Sequence, residues 1–530
     1  MRIIATIIGV LSVLAVSAGT DGARLHHRSG CVVQPTATRA GATRSFSITT
    51  DKLGDVKVPI ILAAYSDVDF TIPDVQKVWD AMANQTGFSE HGAVGCMADY
   101  FREQSYGQFR VTFDVLGPVT LPKERAYYGK GQQSDVRIFQ MIGEASELAA
   151  ALPGVDFKDY DWNGDGTVET VLVVYAGIGE NVSGAPTDVV WPKSGSVSGY
   201  SAGGLRLGSF ACANELVYPD NRQEGFGTLI HEFSHCLGLP DLYNVDNNVD
   251  DFIIFDEWDV MDGGCYSADG WGPIGYSAYE RMLCGWLQPE ELKAETACTD
   301  VKSLADGGSA YLIRNDGDAS EFFLLENRQQ QSFDHYLPGH GLLVTHIGDY
   351  APYDLTPNSG YTVLIHPVPA DNLDYKWSYK KYVEDYYGVT LPDNQLSISK
   401  EYKKYQYDDE GRSRIMTGTA YPYVLDGTIT NDCLTDDSTP AAVLRNPNAS
   451  GEKLLSKPVT DIRESDGLVS FRFMAPPSSV SSLSGDKNIV AVYDLYGRQL
   501  SSLPVSQSPN LPAFLYIIRY SDGTVKKIHR

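Results

Sequence analysis

The chain is poor in several things, and each shortage excludes a class of protein. Its 530 residues hold eight cysteines, at 31, 96, 212, 236, 265, 284, 298 and 433, and none form a C-x-x-C pair. A thioredoxin-type site and a structural zinc finger are thereby unsupported; the export signal read below permits disulfides without fixing any pairing. Positive charge is scarce: 42 Lys and Arg stand against 68 Asp and Glu, a formal net charge of −26. With no basic patch to offset it, the balance argues against a nucleic-acid partner. Long apolar runs are missing after the N-terminus. Arg2, the run 3–16 and the small residues 15–18 have the layout of a cleavable export signal rather than a membrane span, so residues 1–18 are read as a signal peptide. No transmembrane span is expected after its removal. Hydrophobic content of 43% and charged content of 21% are those of a globular protein, and the length calls for two to four domains.

What is there centres on residues 225–241, GFGTLIHEFSHCLGLPD. His231, Glu232 and His235 form H-E-x-x-H, and residues four apart on a helix share one face. Two imidazoles can then meet one ion, while Glu232 stays out of the coordination shell as general base toward a bound water. Gly238 can end the helix in a left-handed turn, which lets Asp241 return to the ion as third ligand. Glu257 and Glu280 are the rival third ligands, Glu280 within the helical pattern SAYERML. The full pattern H-E-x-x-H-x-x-G-x-x-D resembles the metzincin layout with Asp in the third place. Met261, in WDVMDGG (258–264), then suits the turn that lies under the metal. Gly263 stands where metzincins commonly carry a Tyr, leaving Tyr266 or Tyr276 to assist an oxyanion.

Along the chain, residues 19–50 read as a leader or short pro-segment, and 58–65 as a buried strand. Residues 70–82 and 96–105 read as helices, and 109–116 as a strand. Asp159, Asp161, Asn163 and Asp165 alternate before Gly166, as in the first half of an EF-hand loop. The twelfth position from Asp161 is Leu172, so this is no EF-hand; a structural calcium site closed by Glu169 is the expectation, and a plain Asp/Gly turn the alternative. A second acidic loop, 244–251, has weaker spacing. From 291 to 475 the runs SAYLIRN, EFFLLENR, GLLVTHI and GYTVLIHPV alternate between turn residues, which predicts a β-sandwich. His335, His340, His346 and His366 lack metal-ligand spacing there and read as structural. Residues 375–407 are rich in Tyr and Lys, and 476–487 form a Pro/Ser-rich linker.

Several stretches together carry a specific resemblance: DYFREQSYGQFRVTFDVLGPVTLP (99–122), DWNGDGTVE, HEFSHCLGLPDLY (231–243), WDVMDGG, FFLLENRQQ (322–330) and LPGHGLLVTHI (337–347). Residues 55–290, with the two later stretches, resemble the secreted bacterial zinc metallopeptidases of immune-inhibitor-A type. The resemblance implies an endopeptidase with His231, His235 and Asp241 on zinc, Glu232 as base, and calcium in the catalytic domain. The expected fold is an α+β metzincin-like zinc peptidase domain (51–290), a β-sandwich domain (291–475) and a small all-β C-terminal module (488–530). That last module resembles type IX secretion sorting domains through VYDLYGRQL and LYIIR, implying outer-membrane secretion machinery as a partner and a secreted or cell-surface location in a Gram-negative bacterium. The alternative function is an adhesion or glycan-binding surface protein with a vestigial peptidase centre.

Overall fold

The computed structural model describes residues 52–129, 136–181, 185–197, 199–245, 254–351, 354, 356–372, 408–414, 416–425 and 427–475, together with strands at 489–493, 499–501, 515–520 and 525–529. The signal, the leader, the 375–407 stretch, the linker and most of the 244–251 loop lie outside these residues. The fold is mixed α/β, and its contacts divide the chain into one unit ending at Met474 and another beginning at Ala475. Among the described residues no helix is long and apolar enough to cross a membrane.

The first unit opens with β1 (Gly54–Ala64), α1 (Val75–Asn84), α2 (Met97–Gln104), β2 (Phe109–Thr120), α3 (Arg125–Gly129), α4 (Val136–Ala150) and β3 (Thr167–Ile178). It continues through β4 (Lys193–Ser196), β5 (Ser201–Ala202), β6 (Leu205–Val217), β7 (Arg222–Gln223), α5 (Gly227–Cys236) and α6 (Ala278–Leu283). The main sheet runs β2-β1-β3-β6-β4 with its first four strands parallel; β4 and the short β5 and β7 pair with β6 antiparallel. Period-two side-chain alternation explains why β1 is apolar throughout: Val58, Ile60 and Leu62 enter one core, and Ile61 and Ala63 enter the other. Helix α1 begins later than the sequence pattern predicts. The Thr71 and Ile72 amides donate to Glu215 Oε1 instead, at 2.6 and 2.9 Å, and Asp74 sits at φ 51° just before the first turn.

A β-rich region follows: β8 (Glu290–Glu291), β9 (Thr296–Val301), β10 (Ala310–Arg314), β11 (Phe322–Arg328), β12 (Gly341–Ile347), β13 (Asn358–Ser359) and β14 (Thr362–Val363). After these come β15 (Ile365–Pro367), β16 (Tyr423–Leu425), β17 (Thr428–Asn431), β18 (Val459–Ser465) and β19 (Leu468–Phe473). The five-stranded sheet β15-β12-β11-β10-β8 and the three-stranded sheet β18-β19-β9 share a core in which Phe323, Leu325 and Val344 meet Val459, Val469 and Phe471. The alternate residues Phe322, Leu324, Leu343 and Ile347 join the core that holds α5. One sheet thus serves two cores, so the β-rich region and the region before it form a single compact body. In the second unit, β20 (Ile489–Tyr493), β21 (Gln499–Ser501), β22 (Leu515–Tyr520) and β23 (Val525–His529) form an antiparallel sheet in the order β21-β20-β22-β23. Cys96, Cys236, Cys265, Cys284, Cys298 and Cys433 are free thiols.

Candidate metal centre

Helix α5 is fixed from both sides. Leu229, Ile230 and Phe233 are fully buried, and the Phe233 ring meets Phe101 edge-on at 5.0 Å. At its start, a Cβ on Gly227 would come within 2.0 Å of the Cys265 carbonyl, so only glycine allows this approach. At its end, Gly238 takes φ 87°, the left-handed turn its position predicts. The chain then folds back and brings Asp241 to the two histidines. Among the described residues, His231, His235 and Asp241 are the one group of three or more His, Cys, Asp or Glu whose ligand atoms all lie within 4.8 Å of one another.

Which atoms face inward follows from the hydrogen bonds. His231 Nδ1 lies 2.8 Å from the Val260 carbonyl, and His235 Nδ1 lies 2.8 Å from the Leu239 carbonyl. A carbonyl only accepts, so each imidazole carries its proton on Nδ1 and presents a bare lone pair at Nε2. Those two Nε2 atoms stand 3.3 and 3.2 Å from Asp241 Oδ1. Among the described residues none of the four atoms (two Nε2, two Asp241 oxygens) has a hydrogen-bond partner, and Asp241 is wholly buried. Two lone pairs and a carboxylate facing one another out of water require a positive charge. Their spacing is about that between neighbouring ligands on a tetrahedral zinc with bonds of about 2.0–2.1 Å, so the donor set fits such an ion. Without a metal, the charge comes as a proton. Burial alone would push His235 down, but the Asp241 carboxylate lifts it to about 9, while His235 and His231 hold Asp241 below its ordinary range against its own burial.

The remaining sequence candidates fall around this group. Glu232, 1% exposed, is the next helical residue after His231, and its charge adds to the lift on His235. Met261 is fully buried in the turn beneath, its amide donating to Asp259 Oδ1 at 2.8 Å and its carbonyl accepting from the Leu242 amide at 2.9 Å. Glu257 and Glu280 are not in the ligand group, and Glu280 instead accepts from the Ser277 hydroxyl. Tyr276 exchanges a hydrogen bond with Ser234 in the core, so its hydroxyl is not offered to a substrate. In the Asp159–Glu169 loop the oxygens turn onto the loop's own backbone. Asp161 Oδ1 accepts from Gly164 N at 2.8 Å and Oδ2 from Gly166 N at 2.9 Å, and Asn163 Oδ1 accepts from Asp165 N at 2.9 Å. Glu169 Oε2 accepts from Trp162 N at 2.7 Å, and Asp159 pairs with Lys57 at 3.0 Å.

Reading the sequence did not find what holds Asp241 itself. The carbonyl of Leu242 accepts from Asn358 Nδ2 at 2.7 Å, and Asn244 exchanges two hydrogen bonds with the Gly360 backbone, at 2.8 and 2.9 Å. A lone Asn at 358 carries no periodic or motif signal that ties it to residue 242.

An H-E-x-x-H helix whose imidazoles converge with a buried carboxylate defines a metallopeptidase-type centre. Residues 62–288 match the family described as immune inhibitor A peptidase M6, catalytic domain. It is similar to the pre-pro-metalloprotease PrtV of Vibrio cholerae, 24% identical over 247 residues, covering 39% of this chain and 26% of that protein. It is also similar to immune inhibitor A of Bacillus thuringiensis, 28% identical over 210 residues, covering 34% of this chain and 30% of that protein. The chain thus spans less than a third of the length of these relatives.

Proposed function

We propose that the protein is an exported zinc endopeptidase that hydrolyses peptide bonds of extracellular proteins. The observation that carries this reading is the convergence of two Nε2 lone pairs and one partnerless carboxylate beside Glu232. His231, His235 and Asp241 would hold the zinc. When bound there, the ion polarises a substrate carbonyl and makes a water molecule acidic. Glu232 takes the proton of the attacking water and returns it to the leaving amine, which splits the amide without charging the amine as it departs. The Val260 and Leu239 carbonyls keep both imidazoles in the tautomer that leaves Nε2 bare.

The finer parts of the reading have separate support. The two facing sheets with one shared core favour a β-sandwich after residue 290. Calcium in the 159–169 loop would relieve Glu169, whose carboxyl burial pushes up and which Asp161 and Asp165 push further the same way; a calcium chelator should then lower the melting temperature. The apolar N-terminal run favours export. The VYDLYGRQL and LYIIR motifs favour outer-membrane secretion machinery as a partner and a Gram-negative surface or medium as the location.

The central test replaces Glu232 with Gln. Zinc content should stay at wild-type stoichiometry while casein cleavage falls by about 10²–10⁴-fold, the usual share of a general base. Undiminished cleavage by a clean Glu232→Gln preparation would remove that role.

A further inference from the structure

Asp241 is an unusual ligand candidate in one respect. Metal-binding carboxylates are ordinarily held in orientation by hydrogen bonds from a surrounding layer of residues. Among the described residues Asp241 receives none: both oxygens lack a partner. Its direction is therefore inherited from the backbone immediately after it, and that backbone is gripped from outside the matched catalytic domain. Asn358 is fully buried at the start of β13, and it uses its whole amide. Nδ2 donates to Leu242 O at 2.7 Å and to Ile365 O at 2.8 Å, while Oδ1 accepts from Leu364 N at 2.9 Å and Ile365 N at 3.0 Å. Its own carbonyl accepts from Val245 N at 3.1 Å. On the other side, the Leu242 amide is tied to Met261 O. Leu242, the residue after Asp241, is thus pinned between Met261 on one side and a residue 116 positions downstream on the other, with the Asn244–Gly360 pair closing the same clamp.

We propose that Asn358 is a positioning residue for the metal site: through Leu242 it aims the Asp241 carboxylate at the two Nε2 atoms. This rests on the reading of His231, His235 and Asp241 as metal ligands. Asn358 stands outside the ligand group of His231, His235 and Asp241. Its effect on metal retention passes through the carboxylate alone.

The test uses the full chain and reads zinc rather than peptide cleavage. Zinc content of the wild type is measured first, and a metal-free wild type would overturn the ligand reading itself and leave the clamp without an object. Given one zinc per chain, affinity is then measured by competition with a chromophoric chelator for wild type, Asn358→Ala, Asp241→Asn and the double variant. Asn358→Ala should weaken zinc binding by about 10–100-fold, the usual effect of losing a support behind a ligand. In the Asp241→Asn background the same change should have almost no effect, because the group it positions is gone. Equal effects in both backgrounds, or none in either, would overturn the proposal. Should Asn358→Ala fail to fold, Asn244→Ala loosens the same clamp from its exchange with Gly360. It should weaken zinc binding in the same direction by less, and unchanged affinity in that variant would count against the clamp.

Discussion

Among the described residues, two buried groups combine histidine with carboxylate, and they are put together in opposite ways. Around Glu321, every oxygen is supplied with donors: His346 Nε2 at 2.8 Å, the Asn446 amide at 2.9 Å, the Arg445 amide at 2.5 Å and Asn315 Nδ2 at 3.1 Å. Around Asp241 no donor stands among the described residues, because the two imidazoles that face it hold their protons on the far nitrogens. The residue types are the same and the burial is the same. What differs is whether the polar atoms are already satisfied. A buried group that is complete on its own is structural, and one that is complete only with an added positive charge is a binding site.

The comparison breaks most sharply at the metal. Asp241→Ala should lose zinc and proteolysis together, whereas His346→Gln should keep one zinc per chain, both read by metal analysis and casein digestion. A His346→Gln protein without zinc would show that the two groups are not independent. Next in size is the other fully paired group, centred on Arg328. Its guanidinium meets Asp334 at 2.7 and 2.8 Å, Glu326 at 3.1 Å and the Gly275 carbonyl at 3.1 Å, with no exposure to water. Arg328→Met strands two buried carboxylates and should cost about 3–5 kcal/mol in chemical denaturation.

The smallest effects separate two buried carboxylates by pH. Burial works to raise Glu321, but His346 and the Asn446 and Arg445 amides overcome it and hold the carboxyl below its ordinary 4.5. Its stabilising contribution is therefore complete above about 4.5 and is lost as pH falls through the lowered folded value, so Glu321→Gln should flatten the acid limb of the stability curve. Glu224 has the opposite sign. Burial outweighs the hydrogen bonds from Thr228 and Asn214 and lifts it to about 8. The proton it keeps favours the folded state below the ordinary 4.5, and that advantage is lost as pH rises toward 8. Each unit of such a shift is worth about 1.4 kcal/mol. Glu224→Gln should therefore raise the melting temperature more at pH 8 than at pH 5.

Much of this was legible in the sequence because it is local. The i, i+4 histidines, the stop at Gly238 and the return to Asp241 all lie within one short stretch, where spacing and geometry coincide. The apolar run at 58–65 and the alternation in EFFLLENR and GLLVTHI gave their strands for the same reason. His346, read as structural from its lack of ligand spacing, is hydrogen-bonded to Glu321. The start of α1 was misplaced because Glu215, far along the chain, claims the Thr71 and Ile72 amides. Asn358 was invisible for a kindred reason: a hydrogen bond spanning 116 residues leaves no periodic mark. The run GYTVLIHPV reads as one strand but is two, because the Leu364 and Ile365 amides turn to the Asn358 side chain.

The free thiols noted with the fold have a consequence for how the protein dies. Burial pushes Cys96, Cys284 and Cys298 up to about 11 and Cys236 up to about 12, so at neutral pH almost none is the reactive thiolate. Their protection is desolvation rather than a covalent bond, and it ends the moment the chain opens. Heating in air should then convert a reversible transition into scrambled, cross-linked aggregate, with recovery on cooling confined to samples kept under a non-chelating reductant.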